Sequence, residues 1–353
     1  MADEVHPRSG VATALAAAAL FGLSAPAAKV LVNDTDPWLL AGLLYLGSGV
    51  SLAGLLTWRR RRSPTAVREA PIDRRDWPWL GAAILSGGVI GPVLLMFGLA
   101  WGSASASALL LNLEGVFTAL LAWLVFREHI GARIALGVLA ICLGAMVLAR
   151  SPLDTARLTR SGLAVTGACL AWALDNNVTR KVSSRDPVQL AALKGLVAGA
   201  VNLVIAIARG APFPAPAMVQ GAAIVGALGY GVSLVLFIVA LRQLGAARTG
   251  SYFSTAPFVG ALGGVVALRE PVTAALLIAA ALMGFGVWLH VSERHEHEHH
   301  HEPMAHDHGH THDVHHQHDH PAGTPAPHSH WHVHAPLLHR HPHYPDIHHR
   351  HSH

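Results

Sequence analysis

Charge is what this sequence has least of. Only 13% of its 353 residues are Asp, Glu, Lys or Arg, about half of what a soluble domain carries. So few charges cannot cover the surface of a chain this long, and much of its outside must face something apolar. Cysteine is nearly absent. Cys142 and Cys169 each lie in a long apolar run, make neither a disulfide framework nor a zinc knuckle, and read as small buried hydrophobes. No phosphate loop, dinucleotide glycine fingerprint, nucleophile elbow or HExxH motif occurs, so ATP-driven work or catalysis on this chain is not expected, and no nucleic-acid partner either. These absences exclude a typical cytosolic enzyme, a collagen-like chain and a fully disordered polypeptide.

What is present is apolar residue, 52% of the chain, and 27 histidines beside a formal net charge of +4. The two abundances separate when the chain is divided after Ser292. Residues 293–353 hold 24 of the histidines, eight acidic residues and three arginines, a net charge of −5. The first 292 residues carry 22 Lys and Arg against 13 Asp and Glu, a net of +9.

A bilayer core needs about 20 consecutive apolar residues per helix. Ten stretches qualify: 11–32, 38–57, 79–101, 104–126, 132–149, 162–182, 188–208, 219–241, 247–267 and 272–291. The first follows a short leader, 1–10, without a strongly basic start, and is too long for a signal-peptide core, so it is read as a span. With the N-terminus inside, the gaps on that side carry 16 Lys and Arg and the opposite gaps five. The positive-inside rule then places both termini in the cytoplasm of a cell membrane, the inner membrane in a bacterium. Gly88, Gly91 and Pro92 are expected to break the ladder of the third span. Gly98/Gly102, Gly195/Gly199 and Gly260/Gly264 have the spacing that lets helices approach closely.

The chain also repeats itself. DTDPWLLAGL from Asp34 matches SRDPVQLAAL from Ser184, an offset of 150. REHIGARIALGVLAICLGAMVL from Arg127 matches REPVTAALLIAAALMGFGVWL from Arg269, an offset of 142 that sets Glu128 on Glu270 and Gly144 on Gly286. Most of the difference is the basic gap at 58–78, present only in the first half. Five spans per repeat is odd, so the halves, 11–149 and 161–292 with a connecting loop at 150–160, must be inverted relative to each other. Inverted repeats are a common plan of secondary transporters, with substrate bound between the halves near the midplane. The expected fold class is an all-α membrane protein of ten transmembrane helices in two inverted five-helix repeats.

The fourth span, LLLNLEGVFTALLAWLVFREHIG, ends in Glu128, and its counterpart STAPFVGALGGVVALREP ends in Glu270. With the five-plus-five layout, this resembles the EamA-type branch of the drug/metabolite transporter superfamily over residues 11–292. Gly115 departs from the resemblance, where the family often has proline, whereas Pro257 keeps it. The histidine tail is no part of the family pattern. The resemblance implies a ten-helix transporter.

Ionisable groups at membrane depth are costly and mark candidate sites. Four lie well inside spans: Lys29, Glu114, Asp175 and Lys194. Lys29 is close enough to the outer end of its span to snorkel. Asp175 and Lys194 lie on neighbouring antiparallel spans at similar depth, roughly 10–12 Å in at about 1.5 Å per residue, so they can pair. Asn176 and Asn177 extend the polar run, and three consecutive polar residues cannot all face lipid or one seam; one should reach water. Glu114 lies near mid-span, with Asn112 two residues before it on a different face, and its repeat counterpart is Ala256. The substrate or proton pathway is therefore expected to use Glu114, Asp175, Asn176, Asn177, Lys194 and Asn112, with Glu114 able to load and release a proton.

In the tail, histidines alternate with Asp and Glu and are broken by Pro and Gly, a pattern that builds no core. Imidazole is the commonest ligand for Zn, Ni, Co and Cu ions. The candidates are His295, His297, His299, His300, His301, His306, His308, His310, His312, His315, His316, His318 and His320, in several loose sites. A tail that senses pH is the competing reading, because imidazole titrates near about pH 6.5. Three functions follow. One is an exporter of small organic metabolites with a metal-binding tail. Another is an efflux transporter of the metal itself, fed by the tail. The third is a membrane-anchored metal store, for which ten spans would be excessive. The membrane body needs no cofactor; a homodimer is left open.

Overall fold

The computed structural model describes residues 7–62, 72–126, 131–149, 155–182 and 186–292, and the backbone alone of four tail segments, 296–301, 304–310, 328–334 and 337–342. Up to Ser292 the described residues are helical, in ten runs: α1 Pro7–Val32, α2 Pro37–Arg62, α3 Arg74–Trp101, α4 Ala104–Val125, α5 Ala132–Ala149, α6 Thr155–Thr179, α7 Pro187–Ala208, α8 Pro216–Leu244, α9 at 246–267 and α10 Ala274–Val291. Among the described residues eight of these are long and apolar enough to cross a membrane. The other two are α6, whose Asp175–Asn177 run lowers its hydropathy, and α9, which is broken at Ser254–Thr255.

The repeat has local physical causes in both halves. The Asp-Pro pair of the first match starts α2 and α7. Asp36 Oδ1 accepts the N–H groups of Trp38 and Leu39 at 2.9 and 3.2 Å, and Asp186 Oδ1 those of Val188 and Gln189 at 2.9 and 3.2 Å. Aspartate caps the exposed donors, and the proline that follows has none to satisfy. Spans α3 and α8 each widen into a seven-residue π-helical segment, Ile84–Ile90 and Gly226–Val232, 142 residues apart like the second match. The first ends at Gly91, beside the glycines and proline expected to interrupt that span. Spans α4 and α9 each break in the middle, and at each break a polar side chain adds a second donor to a carbonyl that its own backbone N–H also reaches: Asn112 donates to Leu109 O at 2.8 Å and Thr255 to Tyr252 O at 2.7 Å. Such internal satisfaction is what lipid demands of interrupted helices.

Packing follows the same two-fold rule. α1 packs on α8 and α9, and α6 on α3 and α4; α2 crosses α7, α5 crosses α10, and α4 meets α9. Replacing every helix by its counterpart five places on maps this set onto itself. At the α2–α7 crossing the approach is glycine on glycine: a Cβ on Gly49 would lie 2.5 Å from Leu196 N, and one on Gly195 2.8 Å from Gly49 Cα. Gly98, Gly102, Gly260 and Gly264 also face neighbouring helices at such distances. The interior is filled by Leu39, Leu40, Leu44, Met96, Leu99 and Leu109, while Leu124, Leu163, Val204 and Val266 stand well over half exposed, as a lipid-facing surface requires.

Contacts between helix ends agree with ten alternating crossings. On one side Arg133 bonds Ser292 at 2.7 Å and lies 5.4 Å from the Trp288 ring, and Lys181 lies 5.9 Å from Trp79. On the other, Lys29 Nζ donates to Leu99 O at 2.6 Å, so Lys29 serves the end of α3 rather than only reaching for the interface. Arg209 lies over Trp38 on that side. There, too, Glu270 accepts the N–H groups of Ala104 and Ser105 at 2.6 and 2.8 Å, capping α4. Arg269 before it has a φ of 55°, a left-handed turn that carries the chain out of α9. Glu128, its repeat partner, lies outside the described residues. In the tail, β1 Glu296–His301 pairs with β4 Leu337–Pro342, and β2 Met304–His310 with β3 His328–His334, both antiparallel. Two-stranded ladders alone are marginal in water.

Candidate functional site

The polar residues of α4, α6 and α7 meet around the π segment of α3. Asp175 on α6 is buried and forms an ion pair with Lys194 on α7; Thr179, one turn on, donates to its other carboxylate oxygen at 3.1 Å. The pairing expected from equal depths is present. Gly87 in the π segment makes room for it, because a Cβ there would collide with the Asp175 carboxylate. The Gly87 carbonyl, released from regular helical bonding, accepts from Tyr45 Oη of α2 at 2.8 Å and from Trp172 Nε1 of α6 at 2.9 Å. Gly88 O accepts from the buried Asn202 of α7 at 3.3 Å. A π-widened turn thus presents carbonyls sideways, and three helices, α2, α6 and α7, are fastened to it.

Glu114 stands in the first turn of the second half of α4, where the positive end of the helix dipole favours a carboxylate. It accepts from Asn176 Nδ2 of α6 at 2.8 Å and lies within electrostatic reach of Asp175 and Lys194. Asn177 is buried, its amide nitrogen donating to Ala173 O at 2.9 Å and Thr118 O at 3.4 Å. Five of the six expected site residues are therefore brought together. Asn112 is not. Two residues from Glu114, it lies on a different face of α4, and its amide is used on Leu109 O and, at 3.9 Å, on Met283 Sδ of α10.

The direction that Asn176 faces decides what the cluster can do. On α6, Leu163, Leu170 and Leu174 are exposed and, seven and four residues apart, mark one lipid-facing stripe. Trp172, Cys169 and Val165 lie on the opposite, inner side, Cys169 and Val165 fully buried. At about 100° per residue, Asn176 is about 200° round from Leu174, on that inner side, yet it is exposed. Gly115, next to Glu114, is exposed too, with nothing within 4 Å of an added Cβ. Asn176 is therefore exposed on the inner side of α6. Tyr45, Trp172, Thr179, Thr118 and Asn202 were not anticipated; uncharged polar residues in apolar spans are too common to single out.

No group of three or more His, Cys, Asp or Glu side chains that could hold a metal occurs among the described residues. The tail histidines expected to bind metal, from His295 to His320, lie outside the residues whose side chains are described.

Comparison with known proteins gives three results. The sequence model of the EamA-like transporter family matches residues 8–150 and again 160–292. An uncharacterized transporter of Methanothermobacter thermautotrophicus (strain Delta H) is 30% identical over 294 residues, which is 79% of this chain and 85% of that protein. A protein of known crystal structure aligns with a TM-score of 0.58 at 18% identity, over 80% of this chain and 95% of its own; it is similar in fold.

Proposed function

The chain belongs to the EamA-like transporter family, and on that premise we propose that this multi-pass membrane transporter is a secondary active exporter of small metabolites, working by alternating access. The observation that carries this reading is the exposure of Asn176 on the inner side of α6, hydrogen-bonded to Glu114 and close to the Asp175–Lys194 pair. A polar opening between inverted halves is where such transporters hold substrate. Asp175 and Lys194 supply one charge of each sign for a polar organic solute. Glu114 supplies a carboxylate that can exchange a proton as the site changes sides. The Arg excess on one face supports an orientation in the cell membrane with both termini in the cytoplasm. The histidine tail would then hang where an exporter loads, binding Zn, Ni, Co or Cu ions as sensor or buffer.

A second reading, in which the metal ion is itself exported, draws on the 24 tail histidines. Against it stands the lack of a metal-holding group among the described residues of the membrane body. Flux into proteoliposomes, comparing the full chain with one ending at Ser292, separates the two. Organic solute flux that persists in both chains, with metal dependence lost in the shorter, supports the first reading. Metal flux that disappears in Asp175→Asn or Glu114→Gln supports the second. Glu114→Gln is expected to lose the response of organic flux to an imposed pH gradient, and an unchanged response refutes proton coupling at that residue.

A further inference from the structure

Two buried oxygens on the seam between α4 and α6 have no hydrogen-bond partner: Asn177 Oδ1 and Thr118 Oγ1. Asn177 is 4% exposed. Its amide cannot be turned over to cure this, because two carbonyls, Ala173 O and Thr118 O, already hold the nitrogen, and a flip would set oxygen against both. The orientation of Oδ1 is thus imposed by its own amide. Thr118 lies one turn beyond Glu114, on the same face of α4. The Glu114 carboxylate has about four lone-pair sites, and Asn176 takes one of them. Leaving a buried polar atom unmatched costs about 1–3 kcal/mol, and this seam keeps two of them beside a carboxylate.

We propose that Glu114, Thr118 Oγ1 and Asn177 Oδ1 bind a monovalent alkali cation at this seam. The charges present select its valence. Lys194 already balances Asp175, so Glu114 is the one unbalanced charge of the cluster. A monovalent cation neutralises it, whereas a divalent ion would leave an excess positive charge at membrane depth, where charge is costly. The donors are all hard oxygens, and neither imidazole nor thiolate is among them, which disfavours transition metals. Because Asn176 shares the Glu114 carboxylate, cation occupancy and the polar opening are linked. Any part the cation plays in transport rests on the transporter reading; binding of the cation does not.

The test is binding of radioactive Na+ to the purified full-length protein in detergent, with KCl as competitor and choline chloride as control. Saturable one-to-one binding is expected. Affinity should fall by about tenfold or more in Thr118→Val and Asn177→Leu, and should be kept in Thr118→Ser. If either disruptive variant melts abnormally, Glu114→Gln and Thr118→Ser decide: loss in the first with retention in the second supports the site, and unchanged binding in the first overturns it. No Na+ binding to the wild-type protein, or wild-type binding in Thr118→Val and Asn177→Leu, also overturns it. Flux without Na+ binding would overturn the cation site and leave the transporter reading intact. Na+ binding without flux would do the reverse.

Discussion

Asp175 and Lys194 show how far single residues could be read from the sequence. Both are ionisable, both lie in apolar spans, and a rise of about 1.5 Å per residue puts them at one depth; the pair follows from counting. The same counting brought Asn176 and Asn177 into the cluster. Asn112 stands apart, as expected of a residue two positions from Glu114 and so on a different face of α4, with its amide donating to Leu109 O. A buried ion pair adds little net stability, but losing one partner strands the other, at about 3–5 kcal/mol. Asp175→Leu and Lys194→Leu are each expected to destabilise the protein by about that much in detergent melts. The double variant should recover most of the loss yet move no substrate in proteoliposomes. A double variant that transports normally would reduce the pair to a structural clasp.

At the scale of elements, the spans were legible because a bilayer imposes a length and a composition that few other constraints imitate. The Asp-Pro repeat was legible as a match, and its cause is the capping of α2 and α7. The π segments were legible only as an interruption of the third span, announced by Gly88, Gly91 and Pro92; which carbonyls are used there depends on Tyr45 and Trp172 arriving from other helices. Close crossings carry their own prediction. An added methyl group at Gly49 meets the backbone of α7 at 2.5 Å, and overpacking of this kind costs about 1–3 kcal/mol. Gly49→Ala should lower the melting point accordingly. Gly162→Ala, with open space around it, should raise stability by about 0.5–1 kcal/mol through helix propensity alone. Equal effects at the two positions would show that the α2–α7 crossing is not the tight contact described.

At the scale of the whole molecule, the modest net charge of +4 conceals a basic membrane body and an acidic, histidine-laden tail. The body is two copies of one design, and its symmetry is broken where it matters: Ala256 holds the position of Glu114 in the other repeat, and the Asp175–Lys194 pair joins α6 and α7 with no charged pair at their counterparts α1 and α2 among the contacts described. The central claim is that the inner side of α6 borders a water-filled path. With Cys142 and Cys169 replaced by alanine, Asn176→Cys and Leu174→Cys can each be challenged in membranes with a small, membrane-impermeant thiol reagent. Asn176→Cys is expected to react, and Leu174→Cys, on the lipid-facing stripe, is not. An inert Asn176→Cys, applied from either side of the membrane, would contradict that claim.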